Sequence, residues 1–326
     1  LFGHAYAHLQ VEHISVGIGN SSFDIMPALH WIAQSIPGVP IFFFLSGFLI
    51  WDSIRRSSGF RHYVKKRIFR VFPELWVAVL IEMISILVLY KKLIIWSRFL
   101  LFGVAQGTLF QFWTPDFLRE YGCGVPNGSL WTISVIVQFY LIAWVLYRLL
   151  QKKSPKWWFA LFGASIVFGL LKPVIGSHLP SIIGKLYGQT VFPYMWLFLV
   201  GGLVSDKYEV IIHALKKYWW AIALVFVAWR CLTHFDIDIG GYGVIASLLP
   251  CFAGVGFAYA FPKLNIKTDV SYGIYIYHMI IINAMIQLGF TGKGYHILIA
   301  IALTLVMAYI STMTIGSLSL KKKESC

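Results

Sequence analysis

The 326-residue chain is 59% hydrophobic and 17% aromatic but only 12% charged, with a mean hydropathy of +0.74. A soluble domain carries about 25% charged and about 45–50% apolar residues, so a soluble enzyme, a disordered chain and a disulfide scaffold are all excluded. The net charge of +14 raises nucleic acid as a partner, and the placement of those charges argues against it below. At about 20 residues per span, the length suits one membrane-embedded domain over residues 1–326, with about ten helices and no appended soluble domain.

The chain opens Leu1-Phe2-Gly3, inside an apolar stretch and without the charged start of a signal peptide. Residues 1–10 read as the end of a first helix whose beginning is cut off. Apolar runs then predict spans at about 36–51, 71–90, 129–149, 157–176, 190–205, 218–233, 240–261, 271–290 and 296–317. One more apolar run, about 94–113, contains Arg98, Gln106 and Gln111 and leads into the polar stretch Thr114 to Ser129.

The basic residues decide how that run is read. If 94–113 does not cross, 19 of the 27 Lys and Arg fall in the segments on one side and 6 on the other. That split obeys the positive-inside rule. If the run crosses, Arg148, Lys152, Lys153 and Lys156 move to the outer face and every later loop inverts. The expectation is therefore a multi-pass membrane protein, with both termini cytoplasmic and 94–113 an interfacial or re-entrant segment on the outer side. The charge excess is then topology plus attraction to anionic lipids, and it is too scattered among short loops to form a nucleic-acid patch.

Cys123, Cys231, Cys251 and Cys326 show no metal-ligand spacing, so no metal is expected. Polar groups inside spans are costly and are functional hypotheses by default. His4 and His8 lie four apart on one helix face, where an imidazole is able to move a proton near neutral pH. A histidine hydrogen-bonded for packing fits the same spacing. Ser46 and Gly47 sit in FFFLSGFLI, where small residues allow close helix approach and Ser46 lacks the strained setting of a hydrolase nucleophile. Lys66, Arg67 and Arg70 lie in FRHYVKKRIFRVFPELW, a basic stretch suited to phosphate or to simple anchoring at the membrane surface. In NGSLWTISVIVQFY the helix start offers free N–H groups to a polar ligand, and Gln138 needs buried partners. In DVSYGIYIYH, Asp269 or Ser271 caps a helix that carries His278 two turns later, with Tyr275 and Tyr277 nearby. Glu82 and Arg230 are two further charges in or near spans, with a structural ion pair as the plain alternative.

These five stretches, in this order and on about ten helices, resemble the acyltransferase family 3 membrane proteins, bacterial O-acyltransferases that modify glycans. The resemblance covers almost the whole chain and is specific in combination. It implies His4 as the essential histidine, with His8 the alternative, and a matching arginine about three turns upstream that would precede Leu1. It also implies that Lys66, Arg67 and Arg70 meet an acyl-CoA donor, acetyl-CoA being the commonest. Ser46, Gly47 and Phe48 match the family's Ser-Gly-Phe, and Ser46 is carried as a further catalytic candidate. Trp131, Gln138, Tyr140, Tyr275 and His278 become substrate-binding candidates. The chain has Ile136 where the family usually has a glutamate, which removes a carboxylate from the acceptor side. The implied partners are membrane lipids and a glycan or lipid-linked glycan acceptor.

Two other readings remain at this point. Buried His, Glu and Arg would suit a proton-coupled transporter, although no inverted repeat or pair of Gly/Pro-broken helices is visible. A non-catalytic relative is suggested by Ile136 and the absent arginine.

Overall fold

A computed structural model describes residues 1–11, 15–18, 21–151, 155–232, 235–261 and 268–316. Lys321 to Lys323 and Cys326 lie outside them. The fold is all-α apart from two short hairpins. The helices are α1 Phe2–His8, α2 Met26–Ser35, α3 Gly38–Arg55, α4 Phe60–Leu89, α5 Trp96–Gln106, α6 Trp131–Leu150, α7 Pro155–His178, α8 Ser181–Tyr187, α9 Met195–Asp206, α10 Tyr208–Leu232, α11 Val244–Ala260, α12 Ser271–Gln287 and α13 Gly294–Ser311. The hairpins pair β1 Ser15–Ile18 with β2 Ser21–Asp24, and β3 Asp238–Ile239 with β4 Tyr242–Gly243. Among the described residues six helical segments are long and apolar enough to cross a membrane, and shorter apolar helices accompany them. The chain is a multi-pass membrane protein.

The helix limits refine the sequence reading in two places. The basic stretch and the span after it form a single helix: α4 runs 30 residues from Phe60 and contains Pro73 within it. The ambiguous apolar run yields α5, of 11 residues. At 1.5 Å per residue that is about 16 Å, half of a hydrocarbon core of about 30 Å. Its end is tied into a local knot. Gln106 Nε2 donates to the carbonyls of Gln111 (3.3 Å) and Trp113 (3.1 Å), and Ser134 Oγ donates to the Leu109 carbonyl at 2.7 Å. The Gln106 amide nitrogen is thus satisfied by the turn that follows α5, whereas its Oε1 has no partner among the described residues.

The chain forms two compact units. The first comprises residues 1–34, 65–134 and 266–326, and so contains α1, most of α4, α5, the start of α6, α12 and α13. One of its cores gathers Ala5 and Leu9 of α1 with Met279, Ile282 and Met285 of α12 and Ile297 and Ala300 of α13. A second joins Ile86 and Tyr90 of α4 to Phe99 and Phe102 of α5, with Leu118 and Tyr121.

The second unit comprises residues 35–64 and 135–265. Its centre is the crossing of α3 and α9, and glycines set the approach. A Cβ on Gly47 would lie 2.0 Å from the Phe198 carbonyl oxygen, and one on Gly201 would lie 2.0 Å from the Phe44 carbonyl oxygen. Neither glycine has room for a methyl group, so two backbones pack directly, as small residues permit in lipid. Packing thus accounts for Gly47. Phe43, Phe139, Tyr194 and Phe198 stack around the same crossing, with the Phe139 and Phe198 rings 4.2 Å apart.

Candidate functional site

In the first unit, α12 brings the late motif to the opening helix. His4 Nδ1 lies 2.8 Å from His278 Nε2, across 274 residues of sequence. The rings stack with centroids 5.0 Å apart. His278 is buried, 4% exposed, whereas His4 is exposed.

The proton positions follow from the partners. His278 Nδ1 faces the carbonyl oxygens of Ile274 (3.1 Å) and Tyr275 (2.9 Å), one helical turn back. Carbonyls only accept, so His278 Nδ1 carries the hydrogen. In the neutral pair His278 Nε2 then holds a lone pair, and His4 Nδ1–H donates to it. His4 Nε2 is left with its own lone pair, on the exposed ring. A buried imidazole that fixes the tautomer of a second, accessible imidazole is the arrangement a general base needs.

His8 sits one turn from His4, with ring centroids 6.1 Å apart. Its polar neighbour is the Cys123 thiol. The two histidines that share a helix face therefore have different partners.

Polar contacts bind α12 to the start of α6 and the segment before it. Asn127 Nδ2 donates to the Ile276 carbonyl (2.9 Å), and Ser129 Oγ donates to Asn127 Oδ1 (2.8 Å). The Tyr275 hydroxyl bonds with Thr132 and donates to the Ser129 carbonyl. Tyr275, a substrate-binding candidate, thus has its hydroxyl engaged within the protein. Asn283, wholly buried, accepts from the Cys123 N–H at 2.7 Å and donates to the carbonyls of Val125 (3.1 Å) and Pro126 (2.7 Å). Gly122 has φ +56°, and a Cβ there would lie 1.9 Å from Asn283 Oδ1, so only glycine fits this approach. Asn283 was not singled out from the sequence. Its signal is an amide in an otherwise apolar span, which the cost of burying polar groups makes informative.

The basic stretch meets the start of α12. Arg70 forms an ion pair with Asp269 at 2.8 Å. The Tyr272 hydroxyl donates to the Val71 carbonyl at 2.9 Å. Asp269 Oδ1 accepts from the Ser271 N–H (3.1 Å) and hydroxyl (2.5 Å), so Asp269 caps the first turn of α12. Burial raises the Asp269 carboxyl, but the Ser271 hydrogen bonds and the Arg70 guanidinium outweigh it and hold it below the ordinary carboxylate range. Part of the Arg70 charge is therefore neutralised within the protein. Lys66 and Arg67 are half-buried in the same stretch of α4.

Trp131 is half-buried at the start of α6 in the first unit. Ser46, Gln138 and Tyr140 belong to the second unit. There Gln138 Nε2 donates to the Gln189 carbonyl (2.7 Å), the Tyr140 carbonyl accepts from the Tyr63 hydroxyl (3.0 Å), and Ser46 is half-buried on α3. Ile136 is buried at 3% exposure. Arg230 Nε donates to Ser35 Oγ at 3.3 Å. Glu82, 1% exposed, has no hydrogen-bond partner for either carboxylate oxygen among the described residues. Among the described residues no three His, Cys, Asp or Glu side chains gather as a metal-holding group.

The model of the acyltransferase-3 family, an acyltransferase domain, matches residues 2–317. Nodulation protein 10 of Rhizobium leguminosarum bv. viciae is 27% identical over 320 residues, which cover 89% of this chain and 84% of that protein. The peptidoglycan O-acetyltransferase OatA of Listeria monocytogenes serovar 1/2a is 27% identical over 165 residues, or 47% of this chain and 24% of that protein. No solved structure matches.

Proposed function

We propose a specific reaction for this chain, which belongs to the acyltransferase-3 family and is a membrane acyltransferase. The reaction moves an acyl group, acetyl foremost, from acyl-CoA to a hydroxyl of a cell-envelope or exported glycan. The observation that carries the reading is the His4–His278 pair, with its free Nε2 on the exposed ring.

His4 Nε2 takes the proton of the acceptor hydroxyl as the oxygen attacks the acyl carbonyl; the donor's carbon–sulfur bond then breaks, and the proton passes from His4 to the departing CoA thiolate. While it holds the proton the ring is an imidazolium, and its Nδ1–H bond to His278 is charge-assisted. That bond strengthens as charge develops, so it stabilises the transition state more than the ground state. A thioester is reactive enough for positioning and one proton transfer to supply most of the catalysis. His278 acts here as a positioning residue for His4, and its burial leaves little surface for substrate contact. Lys66 and Arg67 are the cations offered to the donor's phosphates, with Arg70 shared with Asp269.

A glycan acceptor is supported by the O-acetyltransferase relative, whose named acceptor is peptidoglycan. Placement in a bacterial inner membrane with cytoplasmic termini is supported by the distribution of Lys and Arg. The two units act together as one acyltransferase domain in this reading, since the family model spans both.

The test is thiol release from acetyl-CoA by the purified protein in lipid, with and without envelope glycan. Acceptor-dependent release is expected, and it is expected to vanish in His4→Ala while the protein still inserts and folds. Full activity in the double variant His4→Ala/His8→Ala would refute histidine assistance.

A further inference from the structure

The second unit holds a cavity that the proposed reaction does not use. Its volume is about 320 Å³, and it lies between α6, α7 and α9. Its body is apolar. Leu150 comes from the end of α6, Trp158 and Phe162 from α7, and Leu199 and Leu203 from α9. Leu150 and Leu199 are buried in a core with Trp51, and Trp158 and Phe162 pack against that core. The Trp51 and Trp158 rings are 5.2 Å apart, so packing fixes the inner wall. The other wall is open. Phe159 lines the cavity and is 75% exposed, and α7 leaves most of its span uncovered. In a bilayer that opening meets hydrocarbon.

One end of the cavity is polar, lined by Gln151, Asp206 and Lys207. These residues stand at the ends of α6 and α9, where Arg148 and Lys156 also lie, so this end belongs at the level of the lipid headgroups. Leu199 precedes Lys207 by eight residues on α9. At about 1.5 Å per residue, the apolar body reaches about 12 Å inward from the charged rim. Lys207 Nζ lies 3.0 Å from Asp206 Oδ2, and Asp206 Oδ1 accepts from the Trp51 indole N–H at 3.4 Å. A carboxylate offers about four lone pairs and an ammonium three hydrogens, more than these two contacts use.

From this shape we infer that the cavity is a binding site for one phospholipid with an ethanolamine headgroup. Such a headgroup carries a primary ammonium two carbons from its phosphate, an opposite pair that complements the pair at the rim. The lipid ammonium donates to Asp206 and the lipid phosphate accepts from Lys207, both as charge-assisted hydrogen bonds. One acyl chain enters the apolar body. Water fills such a space poorly, because a buried water needs polar partners that these walls lack. A choline headgroup has no N–H to give Asp206. A glycerol headgroup has no cation, and it brings a phosphate next to the Asp206 carboxylate with nothing to offset the repulsion. The neighbouring face of α9 carries Gly201 and Gly202, which pack on α3. The bound lipid therefore braces the helix at the centre of the second unit. His4 and His278 belong to the first unit, so this site is no part of the pair that carries the proposed reaction.

The experiment places the full chain in lipid discs of equal parts phosphatidylethanolamine, phosphatidylcholine and phosphatidylglycerol. Mass spectrometry of the intact protein then identifies the lipid that stays bound. One phosphatidylethanolamine is expected on the wild type, favoured about tenfold over either other lipid, as one charge-assisted hydrogen bond allows. Leu203→Trp, whose larger ring system occupies the cavity, should lose it. Asp206→Asn should keep a lipid but no longer favour ethanolamine over choline. Adding phosphatidylethanolamine to delipidated wild type should raise its melting temperature in a concentration-dependent way, and Leu203→Trp should not respond. Unmutated protein guards against a folding defect in either variant. Phosphatidylethanolamine with a photoreactive group in its acyl chain should label the peptides around Trp158–Phe162 and Leu199–Leu203. Equal retention of the three lipids, a preference for phosphatidylglycerol, or label spread evenly over the exposed spans overturns the site. None of these results bears on thiol release, so the acyltransferase reading stands or falls separately.

Discussion

Replacing His278 by alanine separates the two roles open to that residue. If His278 binds substrate, its loss raises KM. If it holds His4, its loss lowers kcat. The magnitude follows from the 2.8 Å bond between His4 Nδ1 and His278 Nε2. A neutral hydrogen bond contributes about 0.5–1.5 kcal/mol and one to a charged group about 1.5–3 kcal/mol. The bond becomes charged only as His4 accepts the proton, so the differential lost in the transition state is about 1–1.5 kcal/mol, or roughly tenfold in rate. Freeing the ring to rotate and exchange tautomers adds to this, since misplacement by about 1 Å costs up to about 10²-fold. The expected outcome is a kcat lower by about 10- to 100-fold with KM within about twofold. His278→Gln, whose side-chain amide offers an acceptor oxygen, should recover part of the loss. The assay is steady-state thiol release over a range of acceptor concentrations, on protein shown by its melting curve to be folded. An unchanged kcat, or a rise in KM alone, would refute the positioning role and the tautomer reasoning behind it.

Three further outcomes follow from the packing and the charges. Gly47→Ala should lower stability by about 2–3 kcal/mol, because its methyl group would lie 2.0 Å from a backbone oxygen. Gly163→Ala, with no atom within 4 Å, should be neutral or stabilising, and equal melting shifts for the two would show that the crossing is not tight. Asp269 is held below its ordinary value when folded, so its stabilisation is present above the unfolded pKa of about 3.9 and fades as pH falls through the folded value. Asp269→Asn should therefore flatten the fall in melting temperature below about pH 4. The effect should stay under about 1 kcal/mol, since the Arg70 and Asp269 side chains are 41% and 59% exposed, and an unaltered acid profile would remove the contribution. Glu82→Met should raise the melting temperature, because a buried carboxyl without a partner among the described residues costs more than an apolar side chain of similar size. A fall in melting temperature would show that the carboxyl is satisfied.

Some features are legible from the residues alone because they depend on composition and one-dimensional spacing. Low charge and long apolar runs mark a membrane protein, and lipid leaves an internally hydrogen-bonded helix as the form such runs take. Motif order marks the family. His4 and His278 each stand out as a histidine in an apolar run, where an ionisable group is expensive. The limits of α4 are less legible, since a basic surface stretch and an apolar span look distinct in sequence yet form one helix of 30 residues.

What only the tertiary structure decides is which polar groups meet. His4 and His8 share a face and are indistinguishable by spacing, yet one pairs with His278 and the other has Cys123 as its polar neighbour. Cys123 and Asn283 are 160 residues apart and carry no motif that links them. The physical reason lies in the solvent. A helix in water shows its buried side through an apolar stripe, but a helix in lipid is apolar all round. α12 is such a helix, and its sequence leaves open which side turns to a neighbour. That choice rests on small residues, such as Gly273 packed against Ala308, and on a few amides and hydroxyls that each need a partner from another helix.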